Sequence, residues 1–172
     1  MKSPLTANVD IHVNIDYAVA YTKDFIVEIY ETNGSQDLEK WKLNGVLTEH
    51  ILPVLALRWS NKNELLTCGA DINSYVFSYN AQLKKWKGGL INITGNGLRA
   101  LTACDWNKEG DRLAIGAGTG YMYVGYFNTT TNQWDTIPIQ GRLGSQGSGF
   151  EYHHKHQVQP SGDQHLGYVL NR

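Results

Sequence analysis

The sequence predicts an all-β fold assembled from tandem repeats, and three observations carry that expectation. Two segments overlay when the chain is shifted by 48 residues. The apolar runs in each copy are short, rich in β-branched and aromatic residues, and bounded by polar or Gly-rich turns. No segment sustains an apolar period of 3.6 residues, as an amphipathic helix would. Three or four short strands in about 47 residues, repeated in tandem, are the pattern of a β-propeller blade.

The overlay is specific. Leu65 matches Leu113, Tyr75 matches Tyr123, Val76 matches Val124, Asn80 matches Asn128 and Trp86 matches Trp134. Trp59 matches Trp106 at a shift of 47, one residue fewer. A weaker copy lies upstream, where the stretch from Phe25 to Tyr30 resembles that from Ser74 to Tyr79 and Trp41 trails it. The repeats therefore divide the chain into blades of about residues 4–49, 50–96 and 97–140.

Each strand has a local reason. Residues 54–59 form a short apolar run after Pro53. A polar turn at 60–63 leads to a second run at 64–68, then a Gly-Ala-Asp turn at 69–71. Residues 74–79 are rich in β-branched and aromatic side chains, the composition of a strand. The third repeat follows the same plan, with strands at 102–106, 112–115 and 121–127. The pattern stops after residue 140. From Gly141 to Arg172 there are six Gly, four of the six His and no Trp where a fourth repeat would place one. Sparse apolar residues there cannot offset about 1–2 kcal/mol of backbone entropy per residue, so 141–172 reads as an irregular, poorly ordered Gly/His-rich tail.

Composition narrows the function classes. Fifteen Lys and Arg against 16 Asp and Glu give a net charge of -1, without the basic footprint of a nucleic-acid binder. No apolar run approaches the ~20 residues of a membrane span. The first ten residues hold no apolar signal-peptide core, so the chain reads as cytoplasmic. Two Cys in 172 residues do not make a disulfide scaffold.

The second repeat resembles the WD-repeat pattern, which has a His before the first strand, a Ser or Thr in the second, an Asp in the tight turn and a Trp in the third. The matching positions are His50, Thr67, Asp71 and Phe77. The resemblance implies a buried hydrogen-bonded network bracing the blade, partial here because Phe77 lacks an indole N–H. The third repeat departs further, with Thr119 at the Asp position and Gly125 at the Trp position, and the Trp-Asp dipeptide is absent throughout.

A closer resemblance is to the WD-repeat subunit (subunit 1) of the actin-related protein 2/3 complex. It rests on Pro4-Leu5-Thr6, Ile29-Tyr30-Glu31 and Lys40-Trp41 in the first blade. In the second it rests on Glu49-His50, Thr67-Cys68-Gly69 with Asp71, Asn73 and Tyr75-Val76, and Trp86-Lys87. In the third it rests on Leu98-Arg99-Ala100, Trp106-Asn107, the run from Ala114 to Gly118, and Tyr126-Phe127-Asn128. The register holds over about residues 4–139. The family is a seven-bladed propeller, so the chain corresponds to roughly its first three blades. The resemblance implies a non-catalytic scaffold supporting actin filament nucleation and branching. Its implied partners are the other subunits of the complex, the actin filament and nucleation-promoting factors, with a cytoplasmic, cytoskeletal location. It implies no cofactor. A generic WD-repeat adaptor in another assembly, or a non-functional truncated fragment, is the alternative. A propeller protects its strand edges by closing its ring, so three blades alone are expected to be unstable or oligomeric unless partners cap them.

Other residue groups have chemical and plain readings. Cys68 and Cys104, without a CxxC motif, read as buried structural thiols rather than ligands or redox partners. His153, His154, His156 and His165 lack the rigid frame and partner ligands of a zinc site. The Gly-rich run 116–120 precedes a strand, which suits a blade turn and not a dinucleotide fingerprint. Asn33, Asn92 and Asn128 sit in glycosylation sequons, which carry no weight without a signal peptide. Asp105, Glu109 and Asp111 read as solvated loop charges. Tyr21, Tyr121 and Trp134 are either interface aromatics or packing between blades. No catalytic set can be assembled from these residues.

Overall fold

The computed structural model describes residues 25–95 and 98–139, together with the backbone of 9–11 and 17–21. The described strands belong to one compact unit, residues 1–142; a second unit, 143–172, lies outside the described residues, and with it nearly all of the expected tail. The described residues hold twelve strands and one 3-10 turn, Leu38–Lys40.

The strands fall into three antiparallel meanders of four. The first comprises β1 (Val9–Ile11), β2 (Tyr17–Tyr21), β3 (Val27–Glu31) and β4 (Lys42–Leu47). The second comprises β5 (Val54–Trp59), β6 (Leu65–Gly69), β7 (Ser74–Asn80) and β8 (Lys85–Asn92). The third comprises β9 (Leu101–Trp106), β10 (Arg112–Ala117), β11 (Met122–Asn128) and β12 (Gln133–Ile139). The last strands of the second and third sheets meet in a short parallel bridge, pairing Trp134 with Ile91 and Asp135 with Asn92.

Alternation along each strand gives every sheet two faces. The first sheet places Val27, Ile29 and Leu47 against Val54, Leu57, Trp59, Leu65 and Phe77 of the second. The opposite face of the second sheet, through Leu66, Cys68, Val76 and Ile91, meets Leu101, Leu113, Ile115, Tyr123 and Trp134 of the third. The second sheet is thus covered on both sides, and all five residues of β6 are buried. Each fully buried Leu or Ile stabilises the stack by about 1.5–3 kcal/mol.

The turns repeat as the strands do. Gly69 N–H donates to Asn73 O across the β6–β7 turn at 3.0 Å, and Ala117 N–H donates to Tyr121 O across the β10–β11 turn at 2.8 Å. The left-handed residue of the first turn is Ile72 (φ 65°), and of the second Gly120 (φ 82°). In the β5–β6 and β9–β10 turns the left-handed positions are Asn63 (φ 63°) and Gly110 (φ 62°). The Gly-rich run 116–120 is therefore a turn between two strands.

Candidate functional site

The polar residues singled out in the second repeat come from three elements. His50 precedes β5, Thr67 lies on β6 and Asp71 sits in the β6–β7 turn. His50 Nδ1 is 3.0 Å from each carboxylate oxygen of Asp71, and His50 Nε2 is 2.8 Å from Thr67 Oγ1. The neutral tautomer with Nδ1–H donates to Asp71 and accepts the Thr67 hydroxyl proton at Nε2. Asp71 also accepts from Ile51 N–H at 3.0 Å and Asn73 N–H at 3.1 Å. The His50 and Asp71 side chains are 2% and 0% exposed. Burial works to raise the Asp71 carboxyl, but the Ile51 N–H, His50 and the Asn73 N–H more than offset it, holding the group below the usual carboxylate range.

Gly69 is required beside this group. A Cβ there would collide with both Asp71 Oδ1 and His50 Nδ1. Phe77 does not join the hydrogen bonds; it is fully buried in the apolar layer facing the first sheet. The ring that does touch His50 is Tyr75, packed edge-on at a centroid distance of 4.9 Å, with its hydroxyl donating to Glu49 O at 3.2 Å. Sequence reasoning missed Tyr75 as a member of the site; its match to Tyr123 was the available signal. Behind Thr67, Ser74 Oγ donates to the Thr67 carbonyl at 2.7 Å and lies 3.3 Å from Cys68 Sγ.

The third sheet keeps the frame and drops the polar group. Leu98, 48 residues beyond His50, packs against the apolar cluster, and Ile115 replaces Thr67. Thr119 stands where Asp71 would, and its buried hydroxyl has no hydrogen-bond partner. Gly125 replaces Phe77 because the Leu113 side chain fills that space.

The aromatic residues form a second repeating set. Trp86 packs on Trp59 at 5.7 Å and on its cross-strand neighbour Tyr79 at 5.4 Å. Trp134 packs on Trp106 at 5.5 Å and on its cross-strand neighbour Phe127 at 5.7 Å. Tyr30 and Trp41 form the corresponding pair in the first sheet at 6.4 Å. These rings also carry bonds between sheets: Trp86 Nε1–H donates to Asn44 Oδ1 at 2.8 Å, and Trp106 Nε1–H to Arg58 O at 3.1 Å. Asn61 Nδ2–H adds a third, to Lys108 O at 2.8 Å. Trp134 is a packing residue at 7% exposure, whereas Tyr121 is exposed; the side chain of Tyr21 lies outside the described residues.

The remaining groups are plain. Asn107 Nδ2–H donates to Glu109 and Asp111 on an exposed turn, and Asp105 accepts from Trp106 N–H. Asn33 occupies a turn at φ 50°. Among the described residues no three His, Cys, Asp or Glu side chains gather as metal ligands would, and the four tail histidines lie outside them. No helix among the described residues is long and apolar enough to cross a membrane.

The chain is similar to known proteins in sequence and fold. It is 30% identical over 128 residues to actin-related protein 2/3 complex subunit 1A-A of Xenopus laevis, covering 74% of this chain and 32% of that protein. Subunit 1 of the same complex from Schizosaccharomyces pombe is 29% identical, and subunit 1A from Arabidopsis thaliana 30%, over the same shares. The chain thus spans about a third of the length of the curated relatives it matches. No family model matches it. Among solved structures, Saccharomyces cerevisiae Sqt1, a WD-repeat protein, superposes with a TM-score of 0.62 over 80% of this chain and 35% of that one, at 14% identity. The fold is therefore a WD-repeat β-propeller, of which the described residues build three blades.

Proposed function

We propose that this chain, which resembles subunit 1 of the actin-related protein 2/3 complex over 74% of its length, is a non-catalytic scaffold subunit of that complex. It supports actin filament nucleation and branching through protein–protein contacts. Its partners are the other subunits, the actin filament and nucleation-promoting factors, and it acts in the cytoplasm on the cytoskeleton.

The observation that carries this reading is the length of the similarity. The alignment runs over 128 residues, more than two repeats of about 47 residues. The polar side chains of the second blade suit a scaffold. His50, Thr67 and Asp71 spend their hydrogen bonds on one another and on backbone N–H groups, which ties the loop before β5 to the β6–β7 turn. We assign these residues, with Tyr75 and with Phe77 in the apolar layer beneath, to bracing the second blade.

Affinity purification of the tagged chain from its own cells, followed by mass spectrometry, tests the proposal. Recovery of the two actin-related proteins and the remaining subunits is expected. Recovery of an unrelated set of proteins would overturn it and favour an adaptor in another assembly.

A further inference from the structure

The second and third sheets are joined differently at their two edges. At one edge β8 and β12 share a backbone bridge, Ile91 with Trp134 and Asn92 with Asp135. The bridge makes one run of eight strands, with β5 first and β9 last. β5 and β9 lie against one another without pairing, and this leaves a seam between the sheets. Side chains hold the seam. Trp106 Nε1–H donates to Arg58 O, Asn61 Nδ2–H donates to Lys108 O, and Cys104 of β9 meets Cys68 of β6.

Both thiols are buried in one apolar cluster, Cys68 at 0% exposure and Cys104 at 8%. A chain of hydrogen bonds aims them at one another. Ser74 Oγ–H donates to Thr67 O at 2.7 Å. With its proton committed there, Ser74 Oγ accepts the Cys68 S–H at 3.3 Å. Cys68 Sγ in turn accepts the S–H of Cys104. Sulfur thus meets sulfur in the reduced fold, and the sequence holds no other Cys. A disulfide asks for specific geometry, and a pair already in contact has little movement left to make.

We propose that Cys68 and Cys104 form a redox-sensitive staple, which a small-molecule disulfide of the glutathione type oxidises to a disulfide that locks β6 to β9 and closes the seam. One cysteine thiolate attacks the S–S bond of the oxidant, forming a mixed disulfide and releasing the first small thiol. The other cysteine attacks the protein sulfur of that mixed disulfide and releases the second. Two protein thiols and one small disulfide become one protein disulfide and two small thiols. Both sulfurs are buried, so the first exchange waits on an opening of the seam and is slow. The bond then fixes the edge that the bridge leaves to side chains. The proposal is independent of the functional reading above, because it rests on this seam alone.

Equilibration of the full chain with reduced and oxidised glutathione tests it. Acid quenching and mass spectrometry give the ratio of protein disulfide to dithiol, and so the effective concentration of one thiol for the other. The same measurement in urea gives the value for the unfolded chain, where Cys104 follows Cys68 by 36 residues. The folded value is expected to be on the order of 100-fold higher, as for a well-fitted disulfide closing a loop of that size. The oxidised chain is expected to unfold at higher urea than the reduced one, and Cys104→Ser to lose that redox dependence and form only a mixed disulfide at Cys68. A folded value less than about tenfold above the unfolded one overturns the proposal. So does a disulfide that links two chains instead of closing within one.

Discussion

The thiols of Cys68 and Cys104 meet across the interface between the second and third sheets, one on β6 and the other on β9. The hydrogen bond with Cys68, and then burial, push the Cys104 thiol well above its ordinary range. The thiolate is the reactive form, so native Cys104 is expected to resist alkylation at pH 8 and to react fully in denaturant. The same shift sets a sign for stability. The folded state keeps its proton where the unfolded thiol, near pH 8.5, gives it up, so stability is level below that pH and falls as pH rises above it. Iodoacetamide labelling followed by mass spectrometry, with urea midpoints from pH 7 to 10, checks both.

Asp71 gives the opposite dependence. Its carboxyl is held below the usual range in the folded state, so its contribution is present above about pH 4–5 and is lost as pH falls through the folded value. Asp71→Ala leaves His50 and the Ile51 and Asn73 N–H groups without their acceptor, and is expected to cost about 2–4 kcal/mol. Urea unfolding of both proteins at pH 7 and at pH 3.5 reads this out: the difference between them should shrink at the lower pH.

Ile72 occupies a left-handed position that Gly120 fills in the next repeat. A β-branched side chain at φ 65° is strained by about 1–2 kcal/mol. Ile72 is also exposed, so its removal forfeits little burial. Ile72→Gly is expected to raise stability by about 1 kcal/mol, after the entropy that glycine adds to the unfolded chain is subtracted. A lower urea midpoint than the parent's would count against it.

Thr119 has a buried hydroxyl with no partner, because Leu98 stands where His50 stands one repeat earlier. Thr119→Val keeps the shape and removes the unmet polar group. Thermal unfolding should show stability unchanged or raised by up to about 1 kcal/mol. A clear loss would mean that the hydroxyl has a partner in solution.

The contrast between Asp71 and Thr119 marks how much the sequence disclosed. The blade spacing was legible from Trp86 and Trp134, since an aromatic on a repeated strand must meet the same packed site each time. The strand at 54–59 was legible in full, because an apolar run after a proline has few other outcomes. The last strands were not delimited. β8 begins with Lys85 and carries Gly88 and Gly89, and it holds its place by pairing with β7 rather than by propensity. The meeting of Cys68 with Cys104 was equally invisible, because it depends on how two sheets stack. Tyr75 matches Tyr123 one repeat on, yet its contact with His50 follows from a ring orientation that no spacing encodes.

The parallel bridge between β8 and β12 bears on the order in which the chain folds. Within each meander every strand pairs with its sequence neighbour, so each sheet forms by closing short loops. The bridge joins Ile91 to Trp134, and the Asn44 to Trp86 and Arg58 to Trp106 bonds span similar stretches of chain. Those contacts form only after two meanders exist to be joined, which places the slow, high-separation step at docking rather than at strand formation. Substitutions at Trp86 or Trp134 should then leave the early rise of β-structure unchanged and delay only the burial of tryptophan, and the protein would assemble as a row of small units that zip face to face.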